Sequence, residues 1–176
     1  GLQVDWELIP KRDADNFIDF LKKLKKGLGK KPLTVCVPAR IKTLKNDVYD
    51  YKRIGKIADR IMIMAYDEHW TRGPAGSIAS IKWCEKIADY AKTVWPTSKY
   101  IFGLPFYGRT WGSEPVTKAY AFNGMNRLAH EKDVVKIERE DGVPYYTYKT
   151  EVTVKGWYED AYSNVVRSRM YQEKGY

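Results

Sequence analysis

Three near-continuous apolar runs, "LTVCVPA", "RIMIMAYD" and "KYIFGLPFYG", recur along the 176-residue chain, separated by stretches of helical periodicity. Runs of this kind alternating with amphipathic helices predict an α/β fold with a parallel sheet covered on both sides. The first helix is expected over residues 13–28, where Phe17, Phe20, Leu21, Leu24 and Leu28 share a face. Asp13 is placed to cap it, and Gly27 or Gly29 to end it. A second helical stretch covers about 51–58. A third covers 78–94, with Ile81, Cys84, Ile87, Ala88 and Ala91 on one side and Pro96 as its stop. An opening strand, "GLQVDWE", and a last helix over 162–174 complete four strand–helix units.

After Trp111 the pattern changes to a short helix, "NGMNRLAHE", and the alternating segments "DVVKIERE", "VPYYTYK" and "TEVTVKGWY". Asp-Gly in "EDGVP" is a hairpin signal. Residues 112–156 therefore read as a small α+β insertion inside the fourth unit of a domain spanning 1–176.

The formal charge is +9, much of it in runs such as "KKLKKGLGKK". A charge run is ordinarily a solvated helix face, although the excess also suits acidic surfaces such as anionic wall polymers. No fold motif for nucleic acid accompanies it, so a nucleic-acid partner is not expected. Cys36 and Cys84 lie in apolar patterns and read as two buried thiols rather than a disulfide. Neither forms a CxxC pattern, and His69 and His130 are far apart in sequence, so no metal or cofactor is expected. No run is long and apolar enough to span a membrane. No signal segment is visible, and the chain opens inside a strand without an initiator Met.

Side chains of a strand alternate faces. In "GLQVDWE", Leu2, Val4 and Trp6 then point toward covering helices, and Gln3, Asp5 and Glu7 form a polar row on the other side. Buried charge is costly unless it is paired or used. The row is therefore either a solvated strand edge or part of a site, and Glu7 ends the strand where parallel α/β folds place reactive groups. Four units are half the number in an eight-unit barrel of about 250 residues. A doubly wound sheet is the structural competitor, although no Gly-rich phosphate loop follows the first strand.

These residues resemble family 18 of the glycoside hydrolases, the chitinase-type enzymes. The opening matches the family's DxxDxDxE signature from its second residue, with Gln3 where an Asp is usual, then Asp5, Trp6 and Glu7. "MIMAYDEHW" resembles the sixth-strand MxYD motif through Met64, Tyr66 and Asp67, and "GLPFYGRTW" the seventh-strand motif through Tyr107, Arg109 and Trp111. The run "YDEHW…GPAGSIASIKW" most resembles the spore-cortex-lytic N-acetylglucosaminidase branch. The resemblance implies a partial TIM (β/α)8 barrel, about strands four to seven, with the insertion after the seventh.

The resemblance also implies a mechanism. Asp5 and Glu7 are same-face neighbours, about 6.6 Å apart by strand rise, and so do not face each other across a sugar. Family 18 uses the substrate's own 2-acetamido oxygen as nucleophile. By resemblance Glu7 is the general acid and base, Asp5 hydrogen-bonds it and orients the acetamido group, and Tyr66 donates to the acetamido oxygen. Gln3, Met64, Asp67, Trp70, Tyr107, Arg109 and Trp111 would contact the sugar. From the residues alone, Met64 equally suits a core, Arg109 beside Asp67 a structural ion pair, and the two tryptophans local packing. His69 reads as a loop hydrogen-bonder. The implied substrate is an N-acetylglucosamine-containing polysaccharide, chitin or peptidoglycan, and the implied location extracellular or in the cell envelope, including the spore. An inactive carbohydrate-binding relative is the alternative from another class. A complete active site is expected to need either a missing N-terminal barrel half or a second copy of the chain.

Overall fold

The apolar runs pair as a four-stranded parallel sheet, β1 (Leu2–Val4), β2 (Leu33–Pro38), β3 (Arg60–Met64) and β4 (Tyr100–Phe102), in the order β1-β2-β3-β4. The computed structural model describes residues 1–112, 118–149 and 153–176. It divides into one unit made of Gly1–Ala65, Lys86–Gly103 and Gln172–Tyr176, and another made of Tyr66–Glu85 and Leu104–Tyr171. Consecutive strand order means that each crossover adds the next strand on the same side. Among the described residues there is no topological switch point of the kind a doubly wound sheet uses.

One face of this sheet is dry. Val4, Leu33, Val35, Val37, Ile61 and Ile63 are all buried. The buried side chains of α1 (Ala14–Leu28), α2 (Tyr51–Gly55) and α3 (Ile81–Val94) supply the other half of this core, through Phe17, Ile18 and Leu21, then Ile54, then Ile87, Ala88 and Ala91. The opposite face is open, which corrects the expectation of a sheet covered on both sides. Gln3 is exposed, Thr34, Met62 and Met64 are half-buried, and Ile101 is 44% exposed.

Local chemistry explains most element ends. Asp50 caps α2 by accepting from the Lys52 and Arg53 N–H groups at 2.7 and 3.0 Å. Asp13 flanks α1 without a side-chain cap, its carboxylate accepting instead from Asn16 Nδ2 at 3.1 Å. Gly29 ends the helix at φ 59°, a conformation that glycine adopts without the usual Cβ penalty. Lys22, Lys23 and Lys26 of the basic run are exposed, so this run is a solvated helix face.

The run "KYIFGLPFYG", expected as one strand, is two. The Gly103 N–H donates to the Ile63 carbonyl at 2.9 Å, and then Pro105, which has no N–H, leaves the ladder. The chain re-enters regular structure as β5 (Tyr107–Gly112) in a different, antiparallel sheet. That sheet also holds β6 (Lys118–Ala121), β7 (Glu138–Glu140), β8 (Val143–Lys149) and β9 (Thr153–Tyr158), in the order β6-β5-β9-β8-β7. β5 and β9 thus extend it past both bounds of the 112–156 segment. Residues 113–117 and 150–152 of that segment lie outside the described residues. β7 is shorter than "DVVKIERE" suggested, because β8 pairs with it only from Glu138 onward. Asp141 and Gly142 both have positive φ, 47° and 80°, as a two-residue hairpin turn between β7 and β8 requires. Gly108 is obligatory for another reason, since a Cβ there would lie 2.3 Å from that of Tyr158 on β9. Met125 of α4 (Phe122–Glu131) packs with Tyr146 and Tyr158 on one face of this sheet.

The polar residues of α5 (Ala161–Glu173) hold the second unit together. Arg167 and Glu159 are both fully buried, with 2.9 Å between Nη2 and Oε2. Arg167 also donates to the Ala79 carbonyl and to Asn164 Oδ1, Ser163 Oγ donates to Glu159, and Asn164 Nδ2 donates to the Pro105 carbonyl at 3.1 Å. Burial pushes the Glu159 carboxyl up, opposed by Arg167 and Ser163. Replacing Arg167 by Met strands a buried carboxylate and is expected to cost about 3–5 kcal/mol in chemical denaturation. The paired change Glu159→Gln with Arg167→Met should restore much of the loss. Equal stability of the single variant and the parent would refute this.

Both thiols are buried and no disulfide is present among the described residues. Burial pushes Cys36 and Cys84 each up to about 11. A raised acid favours the folded state while protonated, so this stabilisation is intact below pH 9.0 and lost as pH climbs through about 11. Alkylation of the folded protein is expected to be negligible at neutral pH and to rise steeply above pH 9. Rapid labelling at pH 7 without unfolding would contradict it.

Candidate active site

The first unit carries Gln3, Asp5, Glu7 and Met64. Regular β1 pairing ends at Val4, so Asp5 and Glu7 leave the strand in an extended segment shorter in ladder bonds than expected. Strand alternation still decides their side. Val4 is buried on the helix-facing side, and the Trp6 ring stacks on Phe20 of α1 with centroids 4.6 Å apart. Gln3 is paired with Thr34 on the opposite, open face, and continuing that register sets Asp5 beside Cys36 of β2. The Cys36 thiol is held protonated by its burial, then by the Asp5 carboxylate that accepts from it. Met64 ends β3 opposite Pro38 on the same open face.

The turn after Glu7 is fixed by a residue that sequence reasoning missed. Tyr49 Oη donates to the Trp6 carbonyl at 2.8 Å and accepts from the Ile9 N–H at 3.2 Å, so one phenol holds the backbone on both sides of Glu7. Between them Leu8 adopts φ 57° and is 94% exposed. A left-handed non-glycine residue costs about 1–2 kcal/mol, and the Tyr49 clamp helps to offset it. No local pattern around Tyr49 announces this contact, which spans forty-odd residues. Asp5 and Glu7 are both exposed, with Glu7 left open to solvent by this turn.

The second unit carries Tyr66, Asp67, Trp70, Tyr107, Arg109 and Trp111. Tyr107, Arg109 and Trp111 share a face of β5 by the two-residue period. Asp67 accepts from Tyr107 Oη at 2.5 Å and from Arg109 Nε and Nη2 at 3.2 and 3.1 Å, while Arg109 Nη1 reaches Thr71 Oγ1 at 3.0 Å. Burial, then the Asp67 carboxylate, keeps Tyr107 a neutral phenol well above its ordinary range. Asp67 has φ 58° and is held in that strained conformation by these three bonds. The Tyr66 and Tyr107 rings meet edge to face, with centroids 6.4 Å apart.

Trp111 differs from the expectation of a loop aromatic free to stack. It lies in β5, is buried, and packs with Ile78, Val143 and Trp157, its Nε1 donating to the Trp70 carbonyl at 3.4 Å. Trp70 itself is 52% exposed. The loop that carries Asp67 and Trp70 is pinned at its neck. The Glu68 N–H donates to the Ile78 carbonyl, Glu68 Oε2 accepts from the Ser80 N–H at 2.7 Å, and His69 Nδ1 lies 2.8 Å from the Ser77 carbonyl. His69 is thus a loop hydrogen-bonder. Glu159, Arg167 and Asn164, also missed by sequence reasoning, fix the far end of this loop at Ala79 and the segment before Tyr107 at Pro105.

The structure therefore gathers the expected residues into two sets, a carboxylate set on the parallel sheet and an Asp–Arg–aromatic set on the antiparallel one. Among the described residues no cluster of three or more His, Cys, Asp or Glu side chains is placed to hold a metal ion, and no helix is long and apolar enough to cross a membrane.

Comparison with known proteins gives this geometry a family. The profile of Glycosyl hydrolases family 18 matches residues 1–176. The cortical fragment-lytic enzyme of Bacillus anthracis is 28% identical over 187 residues, covering 99% of this chain and 44% of that enzyme. The spore cortex-lytic enzyme SleL of Bacillus cereus superposes with a TM-score of 0.85 at 28% identity, covering 98% of this chain and 42% of that one. The chitinase of Chromobacterium violaceum does so at 0.89 and 26% identity, over 99% and 58%. The chain spans less than half the length of the curated relatives it matches. Matched by the family's profile over its whole length, the chain belongs to glycosyl hydrolase family 18.

Proposed function

We propose that the protein containing this chain is a retaining glycosidase that cleaves β-1,4-linked N-acetylglucosamine polymers, chitin or peptidoglycan, with the substrate's 2-acetamido group as nucleophile. The observation that carries this reading is the placement of Asp5 and Glu7 after one strand. Two carboxylates on opposite sides of a bond can divide the work of nucleophile and acid, about 5–5.5 Å apart. Asp5 and Glu7, two residues apart on one extended segment, sit side by side rather than across a bond. In this reading the nucleophile therefore comes from elsewhere, and an acetamido oxygen is available in every N-acetylglucosamine unit.

In this reading the Glu7 carboxyl protonates the leaving glycosidic oxygen as the C1–O bond breaks and the acetamido oxygen bonds to C1. Water then attacks C1, gives its proton to the Glu7 carboxylate and reopens the ring, restoring the β configuration. Asp5 orients the acetamido group and Tyr66 donates to its oxygen as charge develops there. Gln3 stands beside this pair. Asp67, Tyr107 and Arg109 line the sugar site, with Met64 and Trp70 as its apolar surfaces and the buried Trp111 bracing the Trp70 backbone.

The open face of the parallel sheet, with Ile101 44% exposed, and the share of relatives' length that the chain spans support a further element of the proposal. Further strands, from an N-terminal barrel half or a second copy, close the sheet and complete the site as a TIM barrel. The cortex-lytic names of the relatives support an envelope or spore location. In the complete polypeptide, Glu7→Gln is expected to lower release of reducing sugar from N-acetylated glycan by about 10²–10⁴-fold, the usual contribution of a general acid and base. The melting temperature should stay unchanged. Undiminished turnover by that variant would refute the assignment.

A further inference from the structure

The face of the antiparallel sheet that carries the Arg109 set does not end at β5. Directly opposed residues share a face, and the pairing runs Arg109↔Trp157↔Tyr145 and Trp111↔Lys155↔Thr147. The inner part of this face is aromatic and dry, with Trp157 stacked on Tyr145 at 5.4 Å and packed edge to face on Trp111. The outer part is wet and basic, with Lys155, Thr147 and Lys149 exposed. Beyond β8 a cleft of about 350 Å³ opens between the strand end and residues 132–136, and Lys132, Lys136 and Lys149 line it. Asp133 and Glu138 line it too, but Glu138 is occupied by Lys136 at 2.5 Å and Tyr145 Oη at 2.8 Å. Among the described residues no carboxylate pairs with Lys149 or Lys155.

We propose that this strip and cleft form a cationic subsite that takes the carboxylates of an acidic N-acetylated glycan, those of a lactyl ether on the sugar or of a peptide attached to it. The proposal rests on the glycosidase reading and narrows its substrate class from chitin toward peptidoglycan. A neutral glycan presents only hydroxyls and amides and gains nothing from ammonium groups beside its binding wall. Lys136 is answered by Glu138, and Asp133 also faces the cleft. Among the described residues the unpaired positive charge is that of Lys132, Lys149 and Lys155, and like charge gathered in this way is unfavourable unless an anion answers it. The register brings Lys155 next to Trp111, and the cleft is at the lower end of ligand-pocket size.

The test uses the complete polypeptide and the double variant Lys149→Ala/Lys155→Ala, whose folding is checked by thermal melting. Three substrates are compared at low and physiological salt: chito-oligosaccharide, peptide-free glycan of alternating N-acetylglucosamine and N-acetylmuramic acid, and the same glycan bearing its peptides. The variant is expected to lose about five- to tenfold in kcat/KM on acidic glycan at low salt, the sum of two exposed charge contacts, with less loss at higher salt. Chito-oligosaccharide should be unaffected. A loss already present on peptide-free glycan assigns the lactyl carboxylate, and one confined to the peptide-bearing glycan assigns the peptide. Unchanged rates on both acidic glycans, with chito-oligosaccharide cleaved normally, would overturn the subsite. If the parent cleaves none of the three, the glycosidase reading fails instead. Calorimetric affinity of parent and variant for the acidic glycans then decides the subsite, with equal affinity overturning it.

Discussion

The stack of Trp6 on Phe20 is the contact on which the arrangement of the carboxylate set depends. Only three residues of the opening segment are in regular strand pairing, too few to fix a register on ladder bonds alone. What commits the segment is apolar surface: Val4 and Trp6 go to the helix side, and a one-residue slip would bury Asp5 there instead. Trp6 keeps 54% of its surface exposed, so the stack recovers only part of the ~1.5–3 kcal/mol that full burial of a large apolar side chain is worth, whereas an unpaired buried carboxylate costs several. Gln3 and Asp5 are on the open face because the alternative is prohibitive. Tyr49 then fixes the backbone on either side of Glu7, so the first carboxylate is placed by strand alternation and the second by a clamp.

The second set is built differently. Asp67, Tyr107 and Arg109 satisfy one another, and the surrounding loop is held by Glu68, His69 and the buried Arg167–Glu159 pair. Replacing a buried ion pair by apolar residues is often neutral in stability, so net energy alone does not explain this one. What it supplies is connectivity: one guanidinium and its neighbour Asn164 tie together Ala79, Glu159 and Pro105, three segments distant in sequence, ahead of the strand that carries Tyr107 and Arg109.

Much of the framework was legible because it repeats. The 3.6-residue period marked α1 and α3, continuous apolar runs marked β2 and β3, and Asp-Gly marked the β7–β8 turn. The "GLPFYG" segment misled, because Pro105 breaks a run that hydropathy alone makes continuous. Tyr49 and Arg167 were illegible for a different reason. Tyr49 holds backbone atoms forty or more residues away, and Arg167 holds the Ala79 carbonyl 88 residues away and a single buried acid eight residues away, contacts that leave no periodic trace. Lys155 is likewise meaningful only after cross-strand pairing sets it beside Trp111. Trp111 looked like a loop aromatic until β5 placed it in a core.

The proposed mechanism makes one central claim, that cleavage retains the anomeric configuration, as attack by the substrate's own acetamido group followed by attack of water requires. The anomeric configuration of the first product tests this most directly. Proton NMR of N-acetylglucosamine oligomers during the first minutes of cleavage by the complete polypeptide should show the β-anomer forming first, with the α-anomer appearing only by mutarotation. Initial formation of the α-anomer would mean direct attack by water from the opposite face, and would contradict the account.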